Sequence, residues 1–437
     1  MGLRIDLTIA ARSLFRHGRR TLFLGLALAA VTALMVLLQG LSTGIRETML
    51  RTATTISTGH LNVGGFFKPT AGQAAPVVTE YARVLETVKK AVPEMTYAVE
   101  RGRGWAKVVS DTGSMQAGIN GIDIASEPAF KQVLKIKSGN IDDLAQPNTM
   151  LVFEGQLKKL DVKIGDAVTI SAQTTRGTAN TIDCRVVAIA QDVGLLSSWS
   201  VFVPNETLRA LYQLRPDATG AIMIFLSQKD QRRIGEIGGH LRNALERDGF
   251  RVMDPDPRAF WFKFEVVNRE DWTGQKLDVT TWEDELSFMM WTLQLLNGLS
   301  GVLMVILIAI VVTGIMNTMW IAIRERTREI GALRAIGMQR GGVLRMFLLE
   351  SLLLGLVGTC TGAALGAGVA ALLNKLAIHV PVGMQLFLMS DRLQLAVHAS
   401  LLISAVALIS LVSAAAAIYP SIRAARLRPV AAMSHFG

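Results

Sequence analysis

The chain has 437 residues, half of them hydrophobic and only 18% charged, against about 25% charged in a soluble domain. Its net charge of +10 is gathered in three places: residues 1–20 hold five Arg and one Asp, 324–345 six Arg and two Glu, and 420–437 three Arg. This pattern excludes an ordinary soluble domain and argues against nucleic-acid binding, which needs its basic residues on one folded face; two cysteines, Cys184 and Cys360, exclude a disulfide framework.

Residues 1–20 place Leu3, Leu7, Ala10 and Leu14 at helical spacing with arginines between them. That is the pattern of an amphipathic helix lying along a membrane face. An uncharged run follows at 21–41, about 20 residues and enough to cross a hydrocarbon core about 30 Å thick. A cleavable signal is the competing reading, but signal cores run only about 7–15 residues. The run is read as a first transmembrane helix over 21–44.

From 45 to 290 no charge-free run of membrane length occurs, so this stretch is read as one large extracytoplasmic domain. Strands are predicted over 60–63, 107–109, 115–122, 150–153, 163–170, 181–190, 221–226 and 250–253. Helices are predicted over 79–91, 155–160, 206–212 and 228–247. The order β-α-β-β early and β-α-β late predicts a discontinuous α/β domain whose middle strands form a β-rich insert, an α+β arrangement.

The end of this domain is aromatic. Trp261, Trp272, Trp282 and Trp291 are four of the seven tryptophans, and Phe260, Phe262, Phe264 and Phe288 lie among them. Aromatic side chains collect where a membrane meets water. Two readings stay open: anchors of the next membrane helix with some core packing, or direct contacts to a lipid-like substrate, with Trp261, Phe264, Trp272, Trp282, Phe288 and Trp291 as the candidates.

Three further spans are predicted at 291–323, 346–373 and 395–419, the last ended by Pro420. Gly358, Gly362 and Gly366 repeat at every fourth position of the third span, a spacing that lets another helix approach closely. Gly25, Ala29 and Ala33 form a weaker version on the first. Glu350 is an acid near the start of the third span, hence a functional candidate unless it reaches water; His398 near the fourth is read as interfacial. The loop at 374–394 is nearly uncharged, whereas 324–345 is strongly basic. By the positive-inside rule the basic loop, the N-terminus and the tail at 420–437 are cytoplasmic.

No GxxxxGK[ST], HExxH, GxSxG or DxDxDG motif occurs, and the six histidines lie far apart. No catalytic, cofactor-binding or metal-binding residue is proposed from sequence. Within the basic loop, 325–336 is predicted as a short helix with Ile330, Leu333 and Ile336 on one stripe beside Arg326, Glu329 and Arg334. By physics alone it suits an anionic inner leaflet or a groove on a soluble partner equally well.

The segment Glu325-Arg326-Thr327-Arg328-Glu329-Ile330-Gly331-Ala332-Leu333-Arg334-Ala335-Ile336-Gly337 resembles the loop of the FtsX/MacB-type, or mechanotransmission, ABC permease family. So do Leu348-Leu349-Glu350-Ser351 and the ending that runs from Tyr419 to Val430. In layout the chain is most similar to the lipoprotein-release (Lol-type) permeases. The resemblance implies four transmembrane helices in a bacterial inner membrane and a periplasmic domain that is porter-like α/β plus a β-rich subdomain. It implies a pair of permeases, the second the same or related, working with two ATPase subunits that hold the ATP and Mg. It makes this chain a non-catalytic subunit, with Arg326, Arg328, Glu329, Ile330, Leu333, Arg334 and Ile336 coupling it to the ATPase. Release of lipoprotein or another lipid-linked substrate is the function it implies first. Export of another hydrophobic substrate, or FtsX-like regulation of a periplasmic partner, is the alternative. Where some family members carry a long hook that recruits a carrier, this chain has only the short 173–181.

Overall fold

A computed structural model describes residues 18–70, 73–381, 390 and 392–426. The amphipathic helix predicted over 1–20 therefore lies outside the described residues apart from its last three, and so does the tail beyond 426. The chain divides into two compact units: 1–47 with 293–379 and 392–437, and 48–292 with 380–391.

The first unit is built on four long helices: α1 (Gly18–Ala53), α9 (Ser287–Glu325), α11 (Arg340–Leu376) and α12 (Ala399–Ala425), with the short α10 (Thr327–Ala335) between α9 and α11. All four long helices are apolar and long enough to cross a membrane. The first three extend past both ends of their predicted spans, whereas α12 starts four residues later than predicted, at Ala399, and ends six later, at Ala425. Pro420 does not end α12, which continues to Ala425. A proline removes one N–H, a loss that membrane helices tolerate.

Small residues set the closeness of packing. A Cβ on Gly362 would lie 2.3 Å from the Ala29 carbonyl oxygen, one on Gly366 3.0 Å from that of Ala33, and one on Gly358 2.9 Å from Leu28 Cβ. The glycine stripe of α11 thus meets the Gly25–Ala29–Ala33 stripe of α1. Polar groups between α11 and α12 are mutually satisfied: Ser351 Oγ donates to the Ser413 carbonyl at 2.8 Å, and Thr359 and Ser410 hydroxyls are 3.1 Å apart. Hydroxyl pairing of this kind binds helices where no hydrophobic difference drives them together.

The second unit is one eleven-stranded sheet: β1 (Leu61–Thr70), β2 (Gln73–Ala75), β3 (Met95–Val109), β4 (Ser114–Ile122), β5 (Ile136–Gly139), β6 (Thr149–Phe153), β7 (Ala167–Gln173), β8 (Ala179–Ala190), β9 (Ser200–Pro204), β10 (Ala221–Leu226) and β11 (Gly274–Thr281). The order is β11-β1-β10-β3-β4-β9-β6-β8-β5, with β2 on β1 and β7 on β3 and β8. Among the strand pairs of the described residues, β4–β9 and β6–β8 are parallel and the others antiparallel. Helices α2 (Tyr81–Ala91) and α6 (Ile234–Arg247) bury Val84, Val88, Ile237, Leu241 and Leu245 on the β1/β10/β11 lobe. On the other lobe α4 (Glu154–Leu160) and α5 (Asn205–Tyr212) cover β3, β4 and β6–β9, and α3 (Pro128–Val133) closes the opposite face through Phe130.

One strand serves both lobes. Along β3, residues 95–101 pair with β10, while 102–109 pair with β4. The middle strands are therefore the far half of a continuous sheet, and β3, read from sequence as three residues, is 15 residues long. Its Gly-Arg-Gly centre conceals it by interrupting the apolar alternation. The predicted strand 250–253 shrinks to a single bridge between Val252 and Leu277, because β11, absent from the sequence reading, takes the edge beside β1. The segment 173–181 is a tight turn, with Thr174 N–H donating to the Thr178 carbonyl at 2.8 Å and Gly177 at φ +82°.

Two expectations follow. Gly362→Val should destabilise the helix unit by about 1–3 kcal/mol through overpacking, while Gly368→Val, with nothing within 4 Å of its Cβ, should leave the unfolding midpoint in detergent unchanged. His60 Nδ1 accepts the Leu226 N–H at 3.1 Å, and burial draws its pKa from 6.5 to about 4. A lowered histidine pKa means the unfolded chain takes up the proton first, so stability is complete above pH 6.5 and is lost as pH falls toward 4. In thermal melts between pH 7 and 4.5, His60→Phe should flatten part of that loss.

Candidate functional site

The basic turn between α9 and α11 is held from inside by one arginine. Arg326 sits where α9 ends and α10 begins; its Nε donates to Glu329 at 3.1 Å and its Nη1 to Glu350 of α11 at 3.0 Å. The guanidinium lies over the Phe347 ring, 5.6 Å from its centroid. Glu350 is thus half of an ion pair that binds two helices, which accounts for an acid at the start of a membrane span. Farther along α10, Arg334 Nη1 donates to the Ala425 carbonyl at 2.9 Å, satisfying the C-terminal end of α12 where helix carbonyls have no internal partner. Arg423 of α12 lies over Trp320 of α9.

These contacts divide the predicted coupling residues. Ile330 is 1% exposed and Arg326 is buried, so neither presents itself to a partner; both fasten α10 to the helix unit. Leu333 and Arg334 are half-buried for the same reason, and Glu329 leans on Arg326. The predicted stripe splits because Ile336 lies past the last turn of α10, before Gly337 at φ +106°. Ile336 is 86% exposed, and Arg328 is exposed as well. The outward surface of the turn carries Arg324, Glu325, Arg328, Glu329 and Arg340 with Ala332, Ala335 and Ile336, so Ile336 is a large apolar point among charges of both signs.

The aromatic segment divides likewise. Trp272 and Trp282 are buried and belong to the core: Trp272 packs with Phe66 and Val267, and its Nε1 donates to Glu270 at 2.6 Å. Phe264 packs on the same cluster. The helix α7 (Phe260–Arg269) turns Trp261, Phe262 and Val266 outward. The Trp261 ring is 5.6 Å from Phe288, at the start of α9, and Phe288 is 5.9 Å from Trp199. Trp291 on the next turn is 56% exposed. Trp199 was invisible to the sequence reading because it lies outside the aromatic-rich segment. Besides Val267, α7 turns a charge inward: Lys263 Nζ bonds Asp278 at 2.7 Å with both side chains buried, and burial holds the Asp278 carboxyl above its ordinary pKa.

A third cluster had no counterpart in the sequence reading. Arg101 and Arg103 of β3 point to one face, since a strand repeats every two residues. Arg101, 1% exposed, donates Nε to Glu127 at 2.7 Å and a second N–H to its other oxygen. The same guanidinium donates to the carbonyls of Ile56 at 3.0 Å and Thr55 at 3.2 Å. These carbonyls belong to a π-helical turn, Thr54–Thr58, that continues α1 and stops at Gly59. Arg103 Nη1 lies 3.7 Å from Glu285, the last residue of α8 (Trp282–Glu285), two residues before α9 begins. Glu285 Oε1 also accepts from Asn62 at 3.1 Å and Thr280 at 2.7 Å. The glycines beside the arginines leave room for α5: a Cβ on Gly104 would fall 2.3 Å from Tyr212 Oη, and one on Gly102 2.8 Å from Leu208. Arg-Gly-Arg-Gly was the signal, two charges at strand spacing with no side chain between.

Among the described residues no three His, Cys, Asp or Glu side chains come together as a metal site.

Residues 301–429 match the family model for the FtsX-like permease C-terminal region, and residues 21–243 match that for the MacB-like periplasmic core domain. The macrolide export ATP-binding/permease protein MacB of Neisseria gonorrhoeae is 34% identical over 130 residues, which is 29% of this chain and 18% of that protein. The pyoverdine export ATP-binding/permease protein PvdT of Pseudomonas savastanoi pv. phaseolicola is 46% identical over 71 residues, 16% of this chain and 11% of that protein. The alignments thus span less than a fifth of these relatives. The periplasmic region of MacB from Actinobacillus actinomycetemcomitans superposes with a TM-score of 0.32 at 12% identity, over 56% of this chain and 97% of that one.

Breaking one partner of a buried ion pair costs about 3–5 kcal/mol, because the other charge is stranded. Arg326→Gln and Glu350→Gln should each lower the unfolding midpoint, and the double variant should lose less than the sum. Additive losses would mean that the 3.0 Å contact does not carry the turn.

Proposed function

The chain belongs to the FtsX/MacB-type family of ABC transporter permeases, and from that membership we propose that it converts ATP hydrolysis by a partner ATPase into movement of its extracytoplasmic domain. Four apolar helices and a periplasmic-type domain fit an inner-membrane protein. The charge asymmetry supports a cytoplasmic basic turn and cytoplasmic termini. The observation that carries the reading is the split of the turn: Arg326, Ile330 and Arg334 tie α10 to α11 and α12, while Ile336 stands 86% exposed. A surface so fastened behind and so bare in front passes a push to the helices instead of bending. ATP and Mg would be held by the ATPase, in two copies on a pair of permeases.

The substrate we propose is a lipid-linked one, with lipoprotein release first. Trp261, Phe262, Phe288 and Trp291 supply exposed or half-buried rings at the start of a membrane helix, where an acyl chain leaving the bilayer would meet them. The second reading is export of another hydrophobic molecule, favoured by the relatives named for macrolide and pyoverdine export.

Depletion of the chain should strand lipoproteins in the inner membrane, read by membrane fractionation and immunoblot. Trp261→Ala with Phe262→Ala should reproduce that defect several-fold more strongly than Trp105→Ala, an exposed tryptophan elsewhere on the domain. Normal lipoprotein sorting under depletion would discard lipoprotein release and leave export.

A further inference from the structure

The two membrane helices that flank the extracytoplasmic domain are attached to it at neighbouring residues of one strand. Within the domain, the π-helical turn that prolongs α1 is gripped through the carbonyls of Thr55 and Ile56 by Arg101. The residue that leads into α9, Glu285, is faced by Arg103. Between them, Gly102 is the position at which β3 changes partner, from Ala221 opposite Arg101 on β10 to Gly121 opposite Gly102 on β4. The attachment points and the joint between the two lobes therefore coincide.

We propose that Arg101 and Arg103 are the positioning residues through which displacement of α1 and α9 is delivered to β3 and divided between the two lobes of the domain. The proposal rests on the coupling reading above and assigns its output end. Arg101 fits the role by its chemistry. Its planar fork holds both oxygens of Glu127 and both carbonyls of the turn at once, and its guanidinium lies against the rings of Phe130 at 4.9 Å and Phe202 at 5.7 Å. A lysine ammonium has the charge but not the fork, so it cannot hold that many acceptors in one plane. Being buried, the contact has no water to replace a lost partner. An axial shift of the helix end then carries β3 with it. The π-turn supplies the matching part: π-bulges interrupt the regular i→i−4 ladder and free carbonyls for outside donors. Glu127 precedes α3, whose Phe130 sits in the core of the far lobe, so the grip on α1 extends directly into that lobe. Arg103, over the Phe260 ring at 4.5 Å, extends the α9 attachment to α7.

The test uses the full chain with its co-purified ATPase in lipid nanodiscs. Spin labels are placed at Lys89→Cys on α2 and Lys158→Cys on α4, one per lobe and both exposed, in a Cys360→Ser background that leaves buried Cys184 in place. Trapping with ATP and vanadate should shift the inter-lobe distance distribution in the otherwise unaltered chain. Arg101→Lys and Arg103→Lys should each lose at least half of that shift while ATP hydrolysis stays within twofold. Full shifts in both variants would overturn the proposal and leave the coupling reading standing. No shift in the unaltered chain, with ATP still hydrolysed, would overturn the coupling reading and the proposal together. Should either variant fail to fold, amide hydrogen exchange on the unaltered complex decides: trapping must change exchange at 54–59 and at 101–103 together. A change confined to 54–59 would refute the assignment.

Discussion

A helix leaves its last carbonyls without internal partners, and in this chain arginines supply what they lack. Arg334 answers Ala425 at the end of α12, and Arg101 answers Thr55 and Ile56 where α1 runs into its π-turn. An arginine can do this while also holding a carboxylate or packing on a ring, because its donors fan out in one plane. Each such contact ties a helix end to a different element. The membrane helices are therefore linked to their surroundings at their ends, while along their length they meet one another through a shared apolar core that includes Leu28, Val36, Ile315, Phe347 and Ile409, with glycine, alanine and hydroxyls at the closest approaches. That arrangement favours helices that slide or tilt as units, with the consequences appearing where the arginines sit.

The permease role follows the same division. The ionisable candidates of the spans pair within the chain: Glu350 with Arg326, and the exposed His398, at the start of α12, with Glu47, its Nε2 2.7 Å away. Neither begins a polar path along a helix. What distinguishes the basic turn is contrast, with buried charges behind and one bare isoleucine in front. At the other end, the α7 surface shows the reverse, a buried Lys263–Asp278 pair behind and an aromatic face in front. In both places an ion pair lies behind an exposed apolar group.

Much of this was legible in sequence where a single period governs. The four spans emerge from uninterrupted apolar runs, and the glycine stripe of α11 from its four-residue spacing. Strand 221–226 was read to the residue because it is buried on both faces and bounded by Gly220. Legibility failed where tertiary context decides. Strand β3 carries Arg-Gly-Arg-Gly at its centre, which no apolar alternation reveals, and β11 is half polar, its buried Asp278 paired with Lys263 and its Thr280 with Glu285. The same cause misplaced site residues: Ile330 and Ile336 share a stripe on an ideal helix, yet α10 ends between them. Trp272 and Trp282 take the core-packing part of the readings left open for them, since composition cannot tell a ring that faces a membrane from one that fills a core.

The most direct test of the central claim is photo-crosslinking from the turn in living cells. A benzoylphenylalanine placed at Ile336 should capture one soluble polypeptide bearing a GxxxxGK[ST] motif, while the same group at Trp105 should not. Capture of lipid alone from Ile336, with no protein adduct, would mean that α10 rests on the membrane and would contradict the account.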